Sequence, residues 1–466
     1  MFIIERVRAE AEIREQSEID IIVAELDSGG YRPLLRSMVG AAKTAATLGM
    51  FDLRVDALSS SRLRLTPQTR KLLIGDLLFS RAGQISDRCY FVQPTASSLQ
   101  VFEVRHHSVP TGLSQICGAI EQAARKRLDG RRVRGMNFIW QPRLIRQRSA
   151  QRVGSSSRFR DTDLKAKKAE YSEDELRAAR LLVGIEARNL ILQLAQIGKV
   201  RAADAKLPPA LIEQLQNEHL LSKEYLVVCR KDSHTLCQVA SVEDLNEVSG
   251  GKLVCATCGR KFSDELFHEI FAGTETGKQL VTSSRWMTIW LTDLLVLAGI
   301  ARGAILWGAT AGEDEIDIMT DALGLRIFFE LKDREFGLGD AYSFAYRLDR
   351  YDGSLGVVVS TDRIAGEAEK FFQEQRSKSA ASIETLAGTG IEAGIRERID
   401  KYSRYGIGQV LADYSDHIGI NIAAVVSGWM DMFSGMLRSG RYKPPVPPPI
   451  TAEAVTTDAV AAGGQE

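Results

Sequence analysis

Apolar residues recur at helical spacing in some stretches of the chain and alternate with polar ones in others, and the change of period outlines its organisation. Near the N-terminus, "PLLRSMVGAAKTAATLGMFDL" (from Pro33) and "GLSQICGAIEQAARKRL" carry apolar stripes that predict helices, and "SLQVFEVRHH" predicts a strand. Residues 1–124 therefore read as an α/β domain, with no chemical motif of its own. The adjacent His106 and His107 would point to opposite faces of a strand, as surface or strand-end residues.

Further on, "YSEDELRAARLLVGIEARNLILQLAQIGKV" is a long amphipathic pattern in which Ser172, followed three residues later by Glu175, predicts a capping box. "PPALIEQLQNEHLLS" opens a helix with Pro in its first turn. Extended "EYLVVC" and "TLCQVAS" follow, around the turn "RKDSH". Helices followed by a hairpin make residues 172–241 resemble a winged helix. Its second helix offers Gln214, Gln216, Asn217 and His219 but no Arg or Lys, so base readout and protein interaction both stay open. From residue 280 to 380, a helix "SRWMTIWLTDLLVLAGIA" precedes strands "AILWG", "EIDIM" and "LRIFFELK". The helix "GDAYSFAYRLDRY" and the strand "SLGVVVSTD" complete a mixed α/β unit. Residues 381–440 read as helical and residues 441–466 as a disordered, Pro-rich tail.

Composition narrows the class. With 466 residues, 44% apolar and 26% charged, the chain suits a multidomain globular protein. Its 60 Lys and Arg balance 60 Asp and Glu, so net charge favours no partner. Distribution says more: residues 125–168 hold fifteen Lys or Arg against three Asp. That basic span, 125–171 with its flanks, reads either as a solvated flexible linker or as a source of sequence-blind, salt-dependent DNA affinity. "MFIIERVRAEAEIREQ" turns charged after four residues, unlike a secretory signal. The apolar run at residues 418–430 is too short for a bilayer and predicts a buried helix. A soluble, cytoplasmic protein is expected.

Four of the six cysteines fall between residues 229 and 258. Cys255 and Cys258, in "CATCGR", have the spacing that turns two thiolates toward one Zn²⁺. A redox pair is the rival, though no thioredoxin-like βαβ context surrounds it. Cys229 and Cys237 would complete the site if they face one another across the hairpin, and His234 is the alternative to Cys237. The expectation is a structural zinc ribbon over residues 225–275.

The strand pair carries the other chemistry. On alternation, Glu315 and Asp317 share one face of "EIDIM", and Glu330 and Lys332 share one face of "LRIFFELK". Asp317, twelve intervening residues, then Glu-x-Lys resembles the PD-(D/E)xK nuclease superfamily, the restriction-endonuclease-like fold. The order of elements is most similar to its Mrr-like type IV restriction and Holliday-junction-resolvase-like branches, over residues 282–375. The resemblance implies a mixed sheet flanked by helices and an Mg²⁺- or Mn²⁺-dependent DNA endonuclease. Asp317 and Glu330 would be its metal ligands, Lys332 would orient or deprotonate the attacking water, and Glu315 would be an auxiliary. It also implies DNA as partner and a role in prokaryotic restriction or anti-phage defence. A partner ATPase or other defence-system subunit, and a dimer, are compatible with it. The plainer alternative is that both strands merely carry exposed charges. A look-alike, "SEIDIIVAELD" from Ser17, shows how common the first half is: Glu25 follows Asp20 too soon for a hairpin, and position 27 is Asp rather than Lys. The functional rival is a non-catalytic DNA-binding or scaffold subunit that keeps the fold.

Overall fold

The structure, a computed structural model, describes residues 1–10, 24–26, 28, 31–33, 78–81, 87–94, 98–127, 137–144, 165–249, 252–311, 314–322, 325–351, 353–376, 381–418 and 422–440. The helix expected from Pro33, the "SEIDII" half of the look-alike and the C-terminal tail lie outside these residues.

The first elements are strands β1 (Phe2–Glu10), β2 (Tyr31–Pro33), β3 (Leu78–Arg81), β4 (Arg88–Pro94) and β5 (Ser98–His106). Helix α1 (Leu113–Arg127) and strand β6 (Asn137–Leu144) follow. They form an antiparallel sheet ordered β2-β3-β4-β5-β1-β6. The last strand of this sheet comes from the stretch read as linker. His106 and His107 do not face opposite ways: their ring centroids lie 4.3 Å apart at the end of β5.

The middle of the chain supplies β7 (Lys165–Lys168), α2 (Glu173–Leu182), α3 (Ile185–Ile197), β8 (Lys199–Arg201) and α4 (Pro209–Asn217). After them come β9 (Leu221–Val228), β10 (Thr235–Val239), α5 (Val242–Ser249) and β11 (Leu266–Gly273). The capping box forms as expected, with Glu175 N–H donating to Ser172 Oγ and Ser172 N–H to Glu175. The hairpin β9–β10 is widened by its neighbours into a four-stranded sheet ordered β10-β9-β11-β8.

Next come α6 (Glu275–Thr282), α7 (Arg285–Leu297), β12 (Ile305–Ala311), β13 (Asp314–Ala322), β14 (Leu325–Lys332) and α8 (Leu338–Arg350). The remainder is β15 (Leu355–Ser360), α9 (Gly366–Arg376), β16 (Ser382–Ala387), α10 (Ile391–Ile418) and α11 (Ile422–Arg438). The third sheet is mixed and six-stranded, ordered β16-β15-β14-β13-β12-β7. β14, β15 and β16 run parallel, while β7, β12, β13 and β14 pair antiparallel. Two boundaries thus move: β7 belongs to the expected linker and β16 to the region expected to be helical. Val357, Val358 and Val359 are all buried because β15 is covered on both faces. One face packs on α2, α3, α7 and the start of α10, the other on α8 and α9.

Helix α10 is shared between cores: Ile391, Ile395 and Ile399 pack under the six-stranded sheet, while Ile407, Val410 and Leu411 pack under the first sheet. The apolar run near residue 426 is buried as expected, through Val426, Trp429 and Met430. Among the described residues no helix is long and apolar enough to cross a membrane.

Candidate functional site

β13 and β14 pair with Ile318 opposite Phe329, and one step further that register sets Asp317 against Glu330. Ladder pairing stops there, and the Leu331 N–H donates to Asp317 Oδ2 at 2.7 Å. The cause is a local turnover of two strands. Ile316 and Met319 pack in one core layer and Ile318 in the other, whereas strict alternation would keep Ile316 with Ile318. On β12, Leu306 and Ala309 share a layer and Trp307 faces away. The residue between the paired turnovers is Gly308, at φ +51, a conformation that favours glycine. Asp317 stands opposite Gly308 in that register, so its carboxylate reaches across to β14 instead of standing off the sheet face.

Glu330 is 3% exposed, yet its charge is well matched. Lys332 Nζ lies 3.1 Å from Oε1, and Arg347 Nη2, from α8, lies 2.9 Å from Oε2. Lys332 also approaches Asp340 Oδ1 at 3.5 Å. Asp340 accepts the Gly337 N–H at the start of α8 and is gripped by Arg334. The following residue, Asp333, ties the end of β14 to the α2–α3 region: Arg188 Nε lies 2.9 Å from it, and Trp286 Nε1 and Thr361 Oγ1 donate to it. Glu315 is exposed, and its backbone carbonyl accepts from Arg347. The strand pair thus brings Asp317, Glu330 and Lys332 together, with Glu315 at the margin. Arg347 and Asp340 were not foreseen.

Burial, then the neighbouring Glu330 charge, push the Asp317 carboxyl up to about 7 against the pull of the Leu331 N–H and Lys332. Burial works against the Lys332 ammonium, but Glu330 outweighs it and the pKa is raised. Lys332 is therefore a protonated donor at neutral pH and not a free base. Two carboxylates from adjacent strands form a hard-oxygen donor set of the kind that Mg²⁺ or Mn²⁺ takes. Because Asp317 holds its proton weakly near neutrality, a cation can displace it.

A second cluster lies beyond β9. Cys229, Cys255, Cys258 and Glu265 place one sulfur or oxygen each within 4.8 Å of the others, a group that could hold a metal ion. Cys237 is not in it. It sits on β10 opposite Val227, past a register shift, while the turn after β9 sets His234 against Cys229. His234 forms a separate group with Cys229 and Asp232, and its Nδ1 is engaged by Asp232. Glu265 gave no sequence signal, being one of two adjacent acidic residues just before a strand.

No family model matches the chain, and no curated protein matches it. Among solved structures, the crystal structure of protein VC1899 from Vibrio cholerae aligns at 8% identity with a TM-score of 0.34. The alignment covers 57% of this chain and 63% of that one. A likeness at that level carries no argument about fold or function.

Proposed function

We propose that the strand site is the active centre of a divalent-metal-dependent DNA endonuclease of the PD-(D/E)xK, restriction-endonuclease-like kind. The observation that carries this reading is the meeting of Asp317 with Glu330 across the β13–β14 pair, beside the Lys332 ammonium. Asp317 and Glu330 would hold Mg²⁺ or Mn²⁺, which when bound supplies a Lewis acid and lowers the pKa of a water. Asp317 would bind the cation as its carboxylate. Lys332, kept protonated beside Glu330, donates hydrogen bonds that orient the attacking water and offset charge building on the phosphate. Arg347 and Asp340 hold Glu330 and Lys332 in place, and Glu315 adds negative potential at the rim.

The other parts of the chain fit around that centre as DNA-binding or targeting parts. Residues 172–241 act as a winged-helix-like unit, and Cys229, Cys255 and Cys258 bind a structural Zn²⁺ in a zinc ribbon. The basic residues 125–168 add phosphate contacts. Prokaryotic restriction or anti-phage defence follows from the family resemblance.

One observation favours the rival, a non-catalytic DNA-binding scaffold: both Glu330 oxygens already face protein cations. Incubating supercoiled plasmid with the full chain and Mg²⁺ or Mn²⁺ separates the two. The nuclease reading expects nicked or linear product that chelation suppresses and that Asp317→Ala and Glu330→Ala lose while still binding DNA. Binding without any cleavage in either metal supports the scaffold.

A further inference from the structure

We infer that the thiol cluster is a closed metal centre of three cysteines and one glutamate, in which Glu265 is the fourth ligand, and that Cys237 has no part in it. The inference deepens the structural-metal reading above and rests on it.

The site is built from two matching turns. In the first, Cys229 N–H donates to His234 O at 2.9 Å and Ser233 N–H to Cys229 O at 2.8 Å. In the second, Cys255 N–H donates to Arg260 O at 2.8 Å and Gly259 N–H to Cys255 O at 2.8 Å. Ser233 and Gly259, each four residues after its cysteine, share a left-handed φ of +63 and +72. Residue for residue, Cys229 therefore corresponds to Cys255, and Asp232 to Cys258. The second turn delivers two thiols. The first delivers one, with Asp232 at the position of the other.

Asp232 is turned away from that role. It is exposed, accepts the His234 N–H at 3.3 Å and engages the His234 ring. Glu265 enters instead from the stretch before β11, directly against the second turn, with Oε1 accepting from Cys258 Sγ at 2.8 Å. Its Oε2 accepts the Arg230 N–H at 2.7 Å, which orients the carboxylate so that one oxygen faces the sulfurs.

Charge makes the stronger case. Glu265 is 2% exposed and among the described residues forms no ion pair, the Arg260 and Arg230 charges favouring its carboxylate from further off. A buried carboxylate that faces three thiols and has no directly paired cation is costly to keep charged. A metal ion among the four groups supplies the missing positive charge. In a tetrahedral zinc centre the ligand atoms stand about 3.5–3.8 Å apart, a spacing these four reach with small shifts. Three thiolates and a carboxylate fill the tetrahedron, leaving no open position for substrate, so the centre is structural.

Cobalt substitution in the full chain tests this, because Co²⁺ reports its ligands by absorption. Thiolate-to-cobalt charge transfer scales with the number of sulfurs, and the ligand-field bands report coordination geometry. The wild type is expected to show three thiolates, unchanged in Cys237→Ser. Glu265→Ala should shift the ligand-field bands and weaken Co²⁺ binding at least about 10-fold. Glu265→Cys should raise the charge-transfer band to the four-thiolate level, a gain that misfolding cannot imitate. A four-thiolate wild-type spectrum that loses one sulfur in Cys237→Ser overturns the assignment. So does a spectrum altered by Asp232→Ala or His234→Ala but not by Glu265→Ala. No bound zinc in the purified protein and no Co²⁺ uptake would sink the metal reading itself, a different failure from a misplaced fourth ligand.

Discussion

Glu330 and Glu265 are buried to the same degree, at 3% and 2% exposed, and solve the same problem in opposite ways. Glu330 lies between Lys332 and Arg347, so the protein itself neutralises it. Glu265 accepts from an amide N–H and a thiol, and the Arg260 and Arg230 charges act on it only from a distance, without an ion pair. A carboxylate of the first kind keeps its place with or without a metal, so in the proposed nuclease the metal could come and go. One of the second kind depends on the ion for its place in the fold. On the proposed reading, the comparison separates a site arranged for chemistry from a site arranged for structure.

The largest effect expected from this difference is on folding. Cys255→Ser, or stripping the metal with a strong chelator, should destabilise the β9–β11 region on the order of 4 kcal/mol while the six-stranded sheet stays protected. Amide hydrogen exchange resolves the two regions, and uniform loss of protection would erase the contrast. Next in size, Arg347→Ala leaves Glu330 with one cation and should cost about 2 kcal/mol in metal-free protein. Added Mg²⁺ should recover much of that loss in a thermal melt, and more than it adds to the wild type. Absence of recovery would mean that no cation takes up the space beside Glu330.

A smaller effect concerns Asp317, whose carboxyl is raised from 3.8 to about 7. Between those values the folded chain binds more protons than the unfolded one, so stability falls as pH rises through the window. Asp317→Asn keeps an acceptor for the Leu331 N–H but sheds the charge. The metal-free variant should therefore be more stable than wild type above about pH 7, by on the order of 1–2 kcal/mol, and match it below about pH 4. The smallest effect is on non-specific binding. Replacing six Arg between residues 125 and 168 by Gln should flatten the dependence of log affinity on log salt without touching either proposed metal site. An unchanged slope would make the span a spacer only.

What could be read in advance follows from how each group reaches its site. Asp317, Glu330 and Lys332 lie on two strands joined by a short hairpin, so local spacing brings them together. The capping box at Ser172 and Glu175 and the knuckle at Cys255 and Cys258 are equally local. Arg347 and Asp340 arrive on a helix whose packing the chain order does not reveal. In hindsight, Arg347 sits between the buried Phe344 and Leu348, where a charged residue needs a partner. Glu265 meets the cysteines only through the pairing of β9 with β11, which no short motif announces. Cys237 fits the thiol count but not the register, because the shift between Thr235 and Cys237 carries it past the turn. Strands β6 and β7 were hidden in a basic stretch whose charge outweighs its apolar signal. Glu315 and Asp317 were expected to share a face, and the turnover at Gly308 replaces that arrangement with a carboxylate lying between strands.

The most direct test of the account is the cleavage rate of plasmid DNA by wild type and Lys332→Ala, side by side in saturating Mn²⁺, with Mn²⁺ binding measured calorimetrically on both. Lys332 is a donor next to the proposed metal ligands and not itself one of them. The variant should therefore still bind Mn²⁺ and DNA, yet cleave about 10²–10³-fold more slowly. Equal cleavage by the two proteins, or none by the wild type although it binds both Mn²⁺ and DNA, would contradict the assignment of Asp317, Glu330 and Lys332 as a nuclease centre.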